Sequence, residues 1–193
     1  NSGYWLLGQI VQKVSGMSLG DFAKKEIFEP LGMSNTRFFD DNSMIIKNRA
    51  ATYSASRSGE FMNLISTREE VGSTGIYTTV NDIKKWDDEF YDQKVLNASF
   101  WKLMTTQGVL NNGEILPYAS GLEIKEYKGL KTIDHGGRGF GSWSDIIRFP
   151  DQKFTVIVFT NRADVPATPL GYKIADILLK DKLVDEVKKT ETK

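Results

Sequence analysis

The sequence contains no cysteine, which excludes a disulfide framework, a thiolate metal site and a cysteine nucleophile. It contains one histidine, His135, so a metal centre built on several imidazoles is excluded too. Neither sign of charge predominates. Twenty-five Lys and Arg residues stand against 25 Asp and Glu, so no global field draws the chain to nucleic acid or to an anionic membrane. No apolar run approaches the roughly 20 residues that a membrane-spanning helix needs. The opening residues lack the basic stretch, apolar core and small-residue cleavage site of a signal peptide. Asn1-Ser2-Gly3-Tyr4 instead enters a helical pattern at once, and the chain is expected to continue a longer protein. What is present is the composition of a folded domain: 193 residues, 40% hydrophobic and 26% charged.

Apolar residues at Tyr4, Leu7, Val11 and Val14, joined by Leu6 and Ile10, predict a helix over about 3–15. Gly8 inside it costs about 1 kcal/mol against Ala, which points to close approach of another backbone. Gly16 is placed as a C-terminal cap, and Ser18 with Asp21 restarts a helix that Pro30 and Gly32 end. Residues 33–78 carry little period, and such a long irregular stretch is expected to run over a surface, along the wall of a cleft. Thr79 caps a further helix with Ile83, Trp86 and Phe90 on one face, and another begins near Asn97 or Ser99. From Tyr118 the pattern alternates. Strands are predicted at 121–127, 130–134, 143–149 and 153–160, the last nearly all apolar and so covered on both faces. Thr168-Pro169 starts a final helix with Leu170, Ile174, Ile177 and Leu178 on its apolar side.

The fold expected is α+β: a helical segment, an antiparallel sheet of about three to four strands, and a carboxy-terminal helix. Residues 1–117 form the helical part with its irregular excursion. Residues 118–181 form the sheet and last helix, and 182–193 form a charged, frayed tail.

The segment His135-Gly136-Gly137-Arg138-Gly139-Phe140-Gly141 directly follows a predicted strand. Its glycines remove side chains where a ligand could lie along the strand edge, with the imidazole at the start of the opening. The same residues suit a wide hairpin turn with a surface histidine. They are not a dinucleotide loop, because the glycine spacing is wrong and no βαβ unit comes after them.

Four strings occur in order: Asn1-Ser2-Gly3-Tyr4-Trp5-Leu6-Leu7-Gly8, Glu29-Pro30-Leu31-Gly32-Met33, Gly75-Ile76-Tyr77-Thr78-Thr79-Val80-Asn81-Asp82-Ile83 with Trp86, and His135-Gly136-Gly137 ending in Thr160-Asn161-Arg162. Together they resemble the beta-lactamase-related serine hydrolases: class C beta-lactamases, D-alanyl-D-alanine peptidases and their esterase relatives. The resemblance covers residues 1 to about 180, and implies a carboxy-terminal part of an incomplete beta-lactamase/transpeptidase-like fold. The family's S-x-x-K turn supplies a serine nucleophile and its lysine, a Y-x-N element supplies a tyrosine and a substrate-binding asparagine, and a K-T-G or H-x-G strand supplies a backbone donor for the oxyanion. By this likeness His135, Gly136 and Gly137 match the third element, Arg138 gives its N–H to the oxyanion hole, and Asn1 matches the asparagine of Y-x-N.

The nucleophile is expected outside this chain, which alone is expected to be inactive. The resemblance further implies acyl-enzyme hydrolysis of an amide or ester (a beta-lactam, a D-Ala-D-Ala peptide or a small ester), with no cofactor and no metal. It implies an extracytoplasmic location. The expected partners are a small-molecule or peptide substrate and either the missing amino-terminal segment or a second copy of the chain. A non-catalytic module that binds a peptide or partner in the same cleft is the alternative.

One S-x-x-K string does occur, at Ser99-Phe100-Trp101-Lys102. It comes after the Y-x-N match instead of preceding it, and helix capping with a solvated lysine accounts for it. Glu69-Glu70 and Asp87-Asp88-Glu89 are expected to be solvated charges. Trp143, Tyr53, Arg57 and Asn161 are weaker candidates for substrate contact.

Overall fold

The computed structural model describes residues 1–67 and 69–184. These form two compact units that divide at Ala98/Ser99. The division precedes the 117/118 boundary expected from periodicity because residues 99–117 are hydrogen-bonded to the start of the sheet segment. Gly108 N–H donates to Tyr118 O at 3.0 Å, and Ser120 N–H donates to Met104 O at 3.3 Å.

In the first unit, helix α1 (Ser2–Ser15) ends on left-handed Gly16, whose N–H donates to Gln12 O. Ser18 then caps α2 (Leu19–Ala23): its Oγ accepts from Asp21 N–H at 3.0 Å, and its hydroxyl donates to Asp21 Oδ2 at 2.9 Å. The helix runs on as a π-helical turn, Lys24–Phe28. The backbone expected beside Gly8 is there: a Cβ on Gly8 would lie 3.5 Å from Gly72 Cα and 3.1 Å from Leu19 Cδ2.

The stretch 33–78 is not without structure. Strand β1 (Arg37–Phe38) and strands β2 (Thr52–Ala55) and β3 (Phe61–Leu64) lie within it, as does β4 (Ile76–Tyr77). β1 pairs antiparallel with β4, and β2 with β3. β1 and β4, two residues long, are too short to display a period of two, and β2 and β3 show no alternation in burial, so the sequence pattern missed them.

Helix α3 (Val80–Asp92) starts at Thr79, whose Oγ1 accepts from Asp82 N–H at 3.2 Å. The core of this unit gathers Ala23, Phe28, Met33 and Phe38, with Ile83 and Trp86 packed against them. Asp82 is buried and accepts from the Asn35 amide at 2.7 Å, the Thr36 hydroxyl at 2.9 Å and Lys85 Nζ at 3.0 Å. Burial pushes its carboxyl up, but these donors outweigh that and hold it below the usual range. The solvated charges expected at 87–89 are a correction: Asp87 and Glu89 are buried. Glu89 Oε1 accepts from the Val95 and Leu96 amides at 2.6 Å each, closing the turn after α3. Glu69, by contrast, is exposed and accepts from the Asn42 amide.

The second unit begins at Ser99, inside α4 (Ala98–Thr105), where Trp101 is the buried anchor. Beyond it lie four strands: β5 (Glu123–Tyr127), β6 (Leu130–Arg138), β7 (Trp143–Phe149) and β8 (Phe154–Thr160). They form one antiparallel sheet in that order. Helix α5 (Ala167–Leu178) packs on it, with Ile147, Phe149, Val156, Ala175 and Leu179 as the core.

Two expectations change here. The side of α5 that faces the sheet is the small one, Ala167, Gly171 and Ala175, while Ile177 and Leu178 stay exposed. Helix and sheet lie too close for more, since a Cβ on Gly171 would sit 2.6 Å from Ile147 Cδ1. β8 is covered mainly on the face toward α5, where Val156 is buried, while Phe159 on the opposite face is exposed; it is also an edge strand among the described residues. Of the expected tail, Leu183 packs on the core and Val184 N–H donates to Lys128 O at 2.9 Å; residues 185–193 lie outside the described ones. No described helix is long and apolar enough to cross a membrane.

Gly72 has φ +118°, and a Cβ there would lie 2.8 Å from Tyr4 O and 3.2 Å from Trp5 Cα. Both contacts are backbone and cannot rotate away. Gly72→Ala should therefore cost at least about 2 kcal/mol of stability, read as the denaturant midpoint shift.

Candidate functional site

The site grows from the unequal lengths of two neighbouring strands. β5 and β6 are joined by the two-residue turn Lys128-Gly129, both with positive φ. Such a turn makes the flanking residues, Tyr127 and Leu130, a hydrogen-bonded pair. By alternation, residues 130, 132 and 134 direct their N–H and C=O groups toward β5. At the far end Gly139 N–H donates to Ser142 O at 2.9 Å, so 135, 137 and 139 turn toward β7.

Pairing with β5 stops at Glu123↔Asp134, whereas pairing with β7 continues through Gly136↔Asp145 to Arg138↔Trp143. Gly136 and Arg138 therefore present their N–H and C=O groups to a side where no described strand pairs with them. β5 ends because the chain turns tightly just before it: Ala119 N–H donates to Leu122 O at 2.8 Å, and Tyr118 bridges Glu123.

The histidine segment is thus the second half of a strand, not a loop after one, which corrects both the predicted end at 134 and the hairpin-turn alternative. His135, Gly136, Gly137 and Arg138 are all exposed. His135 Nδ1 lies 2.7 Å from Gly136 O, and Nε2 lies 3.2 Å from Tyr118 Oη. The Arg138 guanidinium sits 4.8 Å above the Trp143 ring, whose Nε1–H donates to Ala163 O at 2.8 Å. A Cβ on Gly137 would lie 2.6 Å from Ser144 Oγ.

Polar groups are buried behind the edge. A Cβ on Gly136 would lie 3.3 Å from Thr168 Oγ1 and 3.5 Å from Asp145 Oδ2. The Thr168 hydroxyl donates to Asp145, which is 2% exposed. Burial pushes the Asp145 carboxyl up and the Asp134 charge adds to this, against the bond from Thr168. Asp134 accepts from the Tyr172 hydroxyl at 2.7 Å and pairs with Lys125 at 3.2 Å. Burial, with that bond, pushes the Tyr172 phenol up.

Asn1 belongs to the first unit, at the N-cap position of α1, where its carbonyl accepts from Trp5 N–H at 3.0 Å. Its exposed carboxamide makes no cap bond. Ser99 and Lys102 are both exposed on α4, on either side of buried Trp101. As residues of the site, Tyr118, Asp145 and Thr168 could not be found from the sequence pattern. Nothing local marks them, for each is distinguished only by the strand or helix end that it meets. Among the described residues, no group of three or more His, Asp or Glu side chains could hold a metal ion.

The chain belongs to the beta-lactamase family, whose family model matches residues 1–179. It is 28% identical to penicillin-binding protein 4* of Bacillus subtilis over 85% of this chain and 39% of that protein. It is 20% identical to a D-aminopeptidase of Brucella anthropi over 93% of this chain and 34% of that protein. The octameric penicillin-binding protein homologue from Pyrococcus abyssi superposes with a TM-score of 0.81 at 27% identity, covering 94% of this chain and 43% of that one. The chain thus spans between 34% and 39% of the length of these two curated relatives.

Asp145 gives a pH signature. Its folded pKa is raised, so between the unfolded value near 3.8 and the folded one the native state holds a proton that the unfolded state releases, and stability falls as pH rises through that window. Asp145→Asn should remove this contribution. In chemical denaturation the difference between variant and wild type should move in favour of the variant from about pH 3.5 upward and level off above the folded pKa.

Proposed function

We propose that this chain is the carboxy-terminal part of a serine hydrolase and forms the strand-edge wall of its acyl-transfer site. The parent acylates its serine with the carbonyl of an amide or ester and then hydrolyses the acyl-enzyme. The Arg138 backbone N–H, directed to the unpaired edge of β6, donates to the oxyanion. Gly136 and Gly137 keep that edge free of side chains so that substrate can pair along it. His135 lines the site. The serine and its lysine come from residues outside these 193. The observation that carries the proposal is the edge itself, two residues of an H-G-G-R strand with their amides unclaimed by either neighbour. The name of one relative, a D-aminopeptidase, favours a D-amino acid in the substrate.

Exposed apolar surface supports a covering partner. Leu6, Ile10 and Val14 make a stripe along α1 at 53%, 55% and 81% exposure. In the second unit Ile177 and Leu178 on α5 and Phe159 on the edge strand β8 are exposed as well. The proposed cover is the amino-terminal segment of the parent or, in its absence, a second copy of the chain. Light scattering coupled to size-exclusion chromatography should find the isolated chain self-associated. A stable, monodisperse monomer would count against the proposal.

The catalytic proposal is tested at the backbone. Because the Arg138 N–H does not face β7, proline there leaves the ladder to β7 intact while deleting the donor. In the parent protein Arg138→Pro should lower kcat about 10²–10³-fold, whereas Arg138→Ala, which keeps the N–H, should lose far less. The chain alone, incubated with a fluorescent penicillin, should remain unlabelled. An adduct on Ser99, or equal activity in the two Arg138 variants, would refute the assignment.

A further inference from the structure

We propose that Tyr118 is a positioning residue for His135: its hydroxyl holds the imidazole in the Nδ1–H tautomer, and the imidazole in turn braces the Gly136 carbonyl on the open edge of β6. A carbonyl oxygen can only accept. The 2.7 Å contact between His135 Nδ1 and Gly136 O therefore requires the proton on Nδ1. The neutral ring then has its lone pair on Nε2, 3.2 Å from Tyr118 Oη, and the phenol is the donor there. One directed chain results, Tyr118 O–H to Nε2 and Nδ1–H to Gly136 O. The two rings also meet edge to face, with centroids 5.9 Å apart at 69°.

The brace answers a weakness in the strand. Gly136 and Gly137 have no Cβ to restrict the peptide between them, so this unit is the one in β6 most free to rotate. Rotation would turn the Gly136 carbonyl away from the open side and carry the Gly137 N–H out of its ladder with β7. A hydrogen bond to that carbonyl from a fixed side chain opposes the rotation, and a fixed side chain needs its own anchor. Tyr118 is well placed to be that anchor. Its carbonyl accepts from Gly108 N–H at 3.0 Å, and the preceding Pro117 carbonyl accepts from Ile124 N–H at 3.0 Å. The turn that stops β5, and so uncovers Gly136 and Arg138, is the turn that carries the phenol to His135.

The use of this brace in catalysis rests on the hydrolase reading, but the brace itself is tested without it. His135 is the only histidine in the chain, so the imidazole 15N resonances report it alone. At a pH where the ring is neutral, the wild type should show a protonated Nδ1 and an unprotonated Nε2. Tyr118→Phe keeps the ring contact and removes the hydroxyl. It should shift the tautomer ratio several-fold toward the Nε2–H form that free histidine prefers, with the amide spectrum otherwise retained. A wild-type ring protonated mainly on Nε2 overturns the proposal without need of any variant, as does an unchanged ratio in Tyr118→Phe. The hydrolase reading fails separately, through loss of the contrast between the Arg138 variants in the parent while the tautomer stands.

Discussion

Everything proposed for this chain depends on a mismatch in one ladder. β6 is nine residues long, and β5, its partner on one side, has only five. Because alternate residues of a strand point their amides to opposite sides, the excess leaves the N–H and C=O groups of Gly136 and Arg138 without a described strand partner on the side β5 has vacated. Unpaired strand edges ordinarily recruit another chain and are blunted for that reason. Here the edge is short, glycine-rich and bordered by a histidine.

The support behind this edge is polar. Asp145 and Thr168 are bonded under Gly136, with Asp134, Tyr172 and Lys125 forming a second network one step along the strand. Burying carboxylates is costly unless they are bonded, and the raised pKa of Asp145 records that cost. The first pair ties β7 to the start of α5, and Asp134 ties β6 to α5 through Tyr172 and to β5 through Lys125, so the geometry of the edge is inherited from the sheet and its helix. Tyr118 acts from the opposite face, on His135.

In the first unit the same economy of small residues appears where α1 meets the loop at Val71-Gly72, while polar residues close its turns. Asp82 gathers three donors and Glu89 closes the turn after α3. The apolar stripe of α1 is the opposite case. Its helical period announces a buried face, yet Leu6, Ile10 and Val14 are exposed. A helix whose sequence expects cover and whose structure lacks it supports an additional partner for this unit.

Much of the architecture was legible locally. Caps at Gly16, Ser18 and Thr79, the period of α1 and α3, and the alternation of the last strands all arise from interactions among residues close to one another in the chain. The family was legible too, from four strings in order, and with it the H-G-G-R segment. The π-helical turn, the two short strand pairs, the buried Asp87 and Glu89, and the small-residue side of α5 were not, because each depends on what lies across from it. Tyr118 is the clearest case. Seventeen residues separate it from His135, and no pattern in the sequence relates the two. Local physics chose helix or strand for the longer segments, since that choice turns on backbone propensity and near-neighbour hydrogen bonds. Where β5 stops against β6, and which side chains converge on the uncovered amides, is settled only when strands distant in sequence take their register.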